Sequence, residues 1–184
     1  MDDLITEKVR GFEIKFKTRP GVFSKSGLDS GSRLLLENVD IQDNSLIADV
    51  GTGSGVIGFV AAKLNPQGHV HLLDVNLRFI NIAKENAILN QLKNVEVYLS
   101  DLFSEVPNNS YNLILSNPAQ HVGNDFLDES ASECYKHLKD GGSVVWVVQK
   151  RLTPVIKRMF NKYFGNCEII VHGKDHTVLK AVKE

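Results

Sequence analysis

The chain has 184 residues and is 42% hydrophobic, enough to bury one substantial core, and its length predicts a single domain spanning residues 1–184. Its 21 Lys and Arg against 22 Asp and Glu leave a formal charge of -1, so no bulk field draws it to nucleic acid or to an anionic membrane. Cys134 and Cys167 lie far apart without CxxC or Cys/His spacing, the start MDDLITEKVR is acidic, and no apolar run approaches the roughly 18 residues of a membrane span. These features support neither a disulfide framework, nor a metal site, nor export, and the expectation is a soluble, cytoplasmic protein.

In chain order, the first forty residues hold FEIKFK, which alternates apolar and basic side chains, then PGVFSKSGLDSGS and the apolar helix candidate RLLLENV. This amino-terminal segment, 1–40, is expected to pack on the sheet that follows and to cover a site. Beyond it, short apolar runs alternate with amphipathic stretches, the pattern of crossover units that build a parallel sheet. Strands are predicted at LIADV (46–50), HVHLLD (69–74), VEVYL (95–99), YNLILS (111–116) and SVVWVVQ (143–149). Helices are predicted at VIGFVAAKL, NLRFINIAKENAILN, DFLDESASECYKHL and PVIKRMFNKYF. In the second of these, Leu77, Ile80, Ala83, Ala87 and Leu89 form an apolar stripe at approximately helical spacing. The end of the chain differs: CEIIVHG, the polar turn GKDH and TVLKAV read as a hairpin that places an antiparallel last strand in the sheet. The fold class is therefore α/β and Rossmann-like, with a mostly parallel seven-stranded sheet and helices on both faces. No internal repeat, low-complexity tract or long linker divides it.

The central motif is LIADVGTGSGVIG, a buried strand that enters Asp49, Gly51, Thr52, Gly53 and Gly55 and then a helix. Glycines there allow a tight turn and let a ligand approach the backbone. Two cofactors fit. Gly53 to Gly58 satisfies GxGxxG with Asp74 about twenty residues on, which is the pattern of a dinucleotide-dependent oxidoreductase. From Asp49 the same loop reads D-x-G-x-G-x-G, the pattern of S-adenosylmethionine (SAM) enzymes. Asp49 favours SAM, because a carboxylate at the end of a buried strand needs a cationic or donating partner and would repel a pyrophosphate. Asp74, followed by Val75, can accept both ribose hydroxyls of an adenosine, or cap the following helix. Asp101 can accept from the adenine amino group while Leu102 packs on the ring, or act as a turn residue.

These motifs together resemble class I SAM-dependent methyltransferases, and specifically the small-domain type of ribosomal RNA guanine-N2 methyltransferase. The resemblance runs through GVFSKSGLDSGSRLLL, DVGTGSGVIG, LLDVN, SDLF, SNPAQHVG and DGGSVVWVVQK. It implies a class I methyltransferase fold, SAM as cofactor and RNA as partner. It also implies that Gly51, Gly53, Asp74 and Asp101 bind SAM, with Phe23 and Ser24 lining the same pocket and Gly21 permitting a bend. Asp29 and Gly31 are not carried over as ligands.

In SNPAQHVG, Asn117 and Pro118 follow the fourth predicted strand. The lone pair of an exocyclic amino nitrogen is delocalised into its ring. Acceptors for its two hydrogens, the Asn117 side-chain oxygen and the Pro118 carbonyl, would turn that lone pair toward a methyl donor, and Asn117 would also lie beside SAM. An aromatic that would stack on the base is replaced by Gln120, and His121 can stack or meet phosphate. The expected activity is N-methylation of guanine in ribosomal RNA. A protein glutamine amide, another amino group of RNA or DNA, and a SAM-binding protein without catalysis are the alternatives.

Overall fold

The computed structural model describes residues 3–18, 27–108, 110–119 and 123–184. Its apolar runs become β3 (Leu46–Val50), β4 (His69–Asp74), β5 (Val95–Leu99), β6 (Tyr111–Ser116), β7 (Leu138–Gln149), β8 (Glu168–His172) and β9 (His176–Val182). They form one seven-stranded sheet in the order β5-β4-β3-β6-β7-β9-β8. β3 to β7 are parallel, and β9 runs antiparallel to both β7 and β8. The connecting helices are α1 (Ser30–Asn38), α2 (Val56–Leu64), α3 (Leu77–Leu89), α4 (Asn124–His137) and α5 (Thr153–Phe164).

The central strands bury apolar residues on both sides because both faces are covered. Ile47, Leu72, Leu113 and Val145 point into one core with α1 and α2, while Ala48, Leu73, Ile114 and Trp146 point into the other with α4 and α5. Each such Leu or Ile contributes about 1.5–3 kcal/mol when fully buried.

Two regions differ from the expectation. β7 starts at Leu138 rather than at Ser143, because the glycine turn stays in the sheet. There the register against β6 shifts from Tyr111↔Leu138 to Leu113↔Ser143, and the N–H of Gly141 donates to the Lys183 carbonyl at 2.7 Å. The amino-terminal segment divides. α1 packs against β7 and β9, but β1 (Asp3–Val9) and β2 (Phe12–Thr18) form a separate hairpin lying on the helices. Ile14 and Phe16 are fully buried there. Asn86 and Asn90 of α3 accept from the backbone N–H groups of Lys17 and Lys15, at 2.8 and 2.9 Å. The exposed edge of β2 is thus satisfied by side chains rather than by another strand.

Candidate functional site

Chain direction changes at the centre of the sheet: β3, β4 and β5 are laid down toward one edge, and β6 returns to the other side of β3. Such a switch point opens a crevice at the carboxyl ends of the strands. A cavity of about 340 Å³ lies here, within the size range of small-molecule sites. Gly51, Gly53, Asp74, Val75, Asp101, Leu102, Asn117 and Pro118, all predicted site residues, line it.

The glycine loop forms the first wall. Gly51 and Gly53 have φ of 71° and 56°, and a Cβ at either position would meet nothing within 4 Å, so the loop presents bare backbone to open space. The N–H groups of Gly51 and Thr52 both donate to the Leu73 carbonyl. Asp74 extends this tether: Oδ2 accepts from the N–H of Gly53 at 3.0 Å, and Oδ1 accepts from the N–H of Asn76 at 2.9 Å. Asn76, not Asp74, is the N-cap of α3, its side chain accepting from the N–H of Arg78. Two fixed carboxylate oxygens, 8% exposed as a residue, thus stand at the cavity wall with lone pairs remaining.

Asp49, Thr52 and Gly55 hold the loop from beneath and are not in the cavity wall. Asp49 is fully buried, and its Oδ2 accepts from Thr52 Oγ1 at 2.6 Å and from the N–H of Gly58 at 2.9 Å. Its Oδ1 is buried without a hydrogen-bond partner among the described residues. Burial pushes its carboxyl group up to about 7, against the lowering effect of those two hydrogen bonds. Gly55 is the N-cap of α2 on the far side of the turn.

At the end of β5, Leu102 adopts a φ of 48°, unusual for a branched side chain. The turn is fastened by Ser100 Oγ, which donates to the Leu102 carbonyl at 2.9 Å, and by Ser104 Oγ, which accepts from the N–H of Asp101 at 3.2 Å. Asp101 is exposed at the rim, and Leu102 with Val75 and Phe79 supplies an apolar slot between the acidic strand ends.

The opposite wall begins where β6 ends. Ser116 Oγ donates to the Val50 carbonyl at 2.7 Å and locks the two strand ends together. Asn117 follows, and its Nδ2 donates to Asp29 Oδ1 at 3.2 Å and to Ser32 Oγ at 3.0 Å. A carboxylate can only accept, so the amide nitrogen belongs on that side and Oδ1 is turned away from it. Asp29 itself is the N-cap of α1, the same Oδ1 accepting from the N–H of Ser32 at 2.9 Å.

Sequence reasoning brought out the strand-end residues but missed Asp29 and Ser32 as partners of Asn117. The available signal was the D-x-x-S spacing of an N-cap at 29–32. It also missed the floor of the cavity, where Phe126, Ser130 and Cys134 of α4 meet Trp146 of β7. Gly21, Phe23, Ser24, Gln120 and His121 lie outside the described residues.

A doubly wound sheet with a glycine loop at its switch point, acidic strand ends and an antiparallel last strand is the class I methyltransferase fold. The chain belongs to the methyltransferase small domain family, whose model matches residues 13–180. It is 34% identical over 181 residues to the ribosomal RNA small subunit methyltransferase C of Vibrio cholerae, covering 95% of this chain and 51% of that protein. It is 32% identical over 179 residues to the uncharacterized protein YbxB of Bacillus subtilis, covering 96% and 89% of the two chains. Among solved structures, the 16S rRNA N2 methyltransferase RsmC of T. thermophilus, in complex with AdoMet and guanosine, superimposes with a TM-score of 0.90 at 22% identity. That match covers 100% of this chain and 51% of the other. The chain thus spans about half the length of the ribosomal RNA methyltransferases it matches. Among the described residues no helix is long and apolar enough to cross a membrane.

Proposed function

We propose that this domain is a SAM-dependent methyltransferase acting on an exocyclic amino nitrogen, guanine N2 of ribosomal RNA. The observation that carries the reading is the orientation of Asn117. Its amide nitrogen is engaged by Asp29 and Ser32, which presents the oxygen, an acceptor, at the wall of the cleft.

The residues of the opposite wall fit the cofactor. An orphaned buried carboxylate oxygen on Asp49 and the paired acceptors of Asp74 make the loop side electronegative, which suits a ligand carrying an ammonium and a sulfonium. Bare backbone at Gly51 and Gly53 leaves room for its methionyl end. Asp74 would accept from the ribose hydroxyls, and Asp101, Leu102 and Val75 would hold the adenine. Bound there, SAM supplies an electrophilic methyl group.

Catalysis by the chain is then positioning. Asn117 Oδ1 and the Pro118 carbonyl would accept the two amino hydrogens of the target base and aim the nitrogen lone pair into the cleft. Pro118 has no N–H that would compete for the acceptor, and its ring fixes the chain direction. Ala119 offers no stacking surface, and Gln120 and His121 would complete the substrate side. Ribosomal RNA as substrate is supported by the name of the Vibrio cholerae relative, and guanine N2 by the solved T. thermophilus N2 methyltransferase that holds guanosine.

Labelled SAM with ribosomal RNA and ribosomal subunits tests the proposal. Asn117→Ala should lower incorporation by about 100-fold or more, the scale of losing one positioned polar contact at a reacting centre, while SAM affinity stays within about threefold. Wild-type incorporation by this variant would overturn the assignment of Asn117. Label found in protein and absent from RNA would move the acceptor to a glutamine amide.

A further inference from the structure

At the other end of the sheet from the cleft, three side chains with metal-ligating atoms converge. We propose that His69, His71 and Glu96 form a binding site for a divalent transition-metal ion of the zinc class, which fastens the edge strand β5 to β4. His69 and His71 alternate along β4 and so share one face, and Glu96 stands in register with His71 on the neighbouring strand. One ligand atom from each residue lies within 4.8 Å of the other two.

The spacing admits an ion as well as a simple pair. His69 Nε2 and Glu96 Oε1 are 3.1 Å apart. Two ligands of a tetrahedral zinc, at bonds of about 2.0–2.1 Å, stand roughly 3.3 Å from each other, so this pair already has the spacing of two ligands, and the His71 atom, within 4.8 Å of both, would draw in to join them. A surface ion pair accounts for His69 and Glu96 but not for a second imidazole brought to the same point. His71 is buried, and its Nδ1 meets the Tyr111 hydroxyl at 2.9 Å, which leaves Nε2 as the ligand nitrogen. Tyr98 donates to the second oxygen of Glu96. Partners of this kind fix the tautomer and the carboxylate orientation at metal sites.

Two imidazoles and one carboxylate, with one tetrahedral position open, favour zinc over the oxygen-seeking magnesium and calcium. Access is available, since the His69 and Glu96 side chains are 35% and 54% exposed. Asp74 lies three residues beyond His71 on β4, roughly 10 Å along the strand, so the ion stands apart from the proposed methyl-transfer site. Its effect is on the sheet edge. The sequence reading attended to cysteine spacing, whereas the signal here is His-x-His within a strand, paired by the fold with an acidic residue 25 or more positions on.

The experiment uses tag-free, metal-stripped protein titrated with Zn²⁺ by calorimetry, and with Co²⁺ by visible absorption as a report of coordination geometry. One equivalent should bind, with the Co²⁺ spectrum of a four-coordinate site, and Zn²⁺ should raise Tm. His69→Gln and Glu96→Gln are accessible changes that spare the buried His71. Each should weaken binding by at least about tenfold, and the double variant should lose the Tm shift while its circular dichroism is unchanged. Absence of stoichiometric Zn²⁺ binding, or retention of binding and of the Tm shift in the double variant, would overturn the proposal. Neither readout depends on methyl transfer.

Discussion

The two walls of the cleft are assembled over different chain distances. On the loop side, Asp74 bonds Asn76 two residues on, Thr52 bonds Asp49 three residues back, and Ser100 bonds Leu102. Longer tethers, from the N–H of Gly53 to Asp74 and from the N–H of Gly51 to the Leu73 carbonyl, cross one βαβ unit. On the amine side, Asn117 is held by Asp29 and Ser32, 88 and 85 residues earlier, through a helix that crosses over the sheet from the amino-terminal segment. Strand-end turns therefore suffice to shape the proposed cofactor wall, whereas the orientation of the proposed catalytic amide depends on the docking of α1. The variants below separate the two.

The largest effect is expected at Asp74. Replacement by Ala removes the acceptor for two backbone N–H groups and both oxygens proposed for the ribose. Hydrogen bonds to charged groups are each worth about 1.5–3 kcal/mol, so SAM affinity measured by calorimetry should fall on the order of a hundredfold. Asn117 would remain oriented, because none of its partners is touched. A Kd for SAM equal to wild type in Asp74→Ala would remove Asp74 from the cofactor wall.

A smaller, more selective effect is expected at Asp29. Asp29→Ala deprives Asn117 Nδ2 of one acceptor and α1 of its cap, the latter at about 1 kcal/mol. kcat should fall about tenfold, with SAM Kd unchanged, because a rotated amide offers a donor where an acceptor is required. Asp29→Asn keeps an oxygen that can serve both N–H groups, and should restore kcat. If Asn is as damaging as Ala, or if Ala leaves kcat intact, Asp29 does not position Asn117.

What was legible in the sequence follows the same division. β3, β4, β5 and β6 begin and end where their predicted runs do, and Gly51 after β3, Gly68 before β4, and Asn117 and Pro118 after β6 are turn residues that punctuate those runs. The carboxyl-terminal hairpin was equally visible from its polar turn. The glycine turn of β7 was not, since its place in the sheet is set by Tyr111 and Lys183, residues remote in sequence. The hairpin of β1 and β2 was hidden for a similar reason. Its edge is completed by Asn86 and Asn90, which on their own look like polar residues of a helix surface. Asp29 could be read as a cap from local spacing, but not as the partner of Asn117, because only the assembled sheet brings those two residues together.

The smallest expected effect concerns stability and belongs to the loop wall alone. Asp49 titrates at about 7 in the folded chain, driven up by burial, against an ordinary value of 3.8. Between these values the folded state binds more protons than the unfolded one, so stability is full below about pH 4 and declines as pH rises through 7. The slope from this group is at most about 1.4 kcal/mol per pH unit. Asp49→Asn retains an oxygen that can accept from Thr52 and from the N–H of Gly58, and removes the titration. Urea unfolding should therefore give the variant a flatter profile from pH 4.5 to 7.5 and greater stability than wild type at the upper end. Parallel profiles for the two proteins would mean that the buried carboxylate carries no such cost.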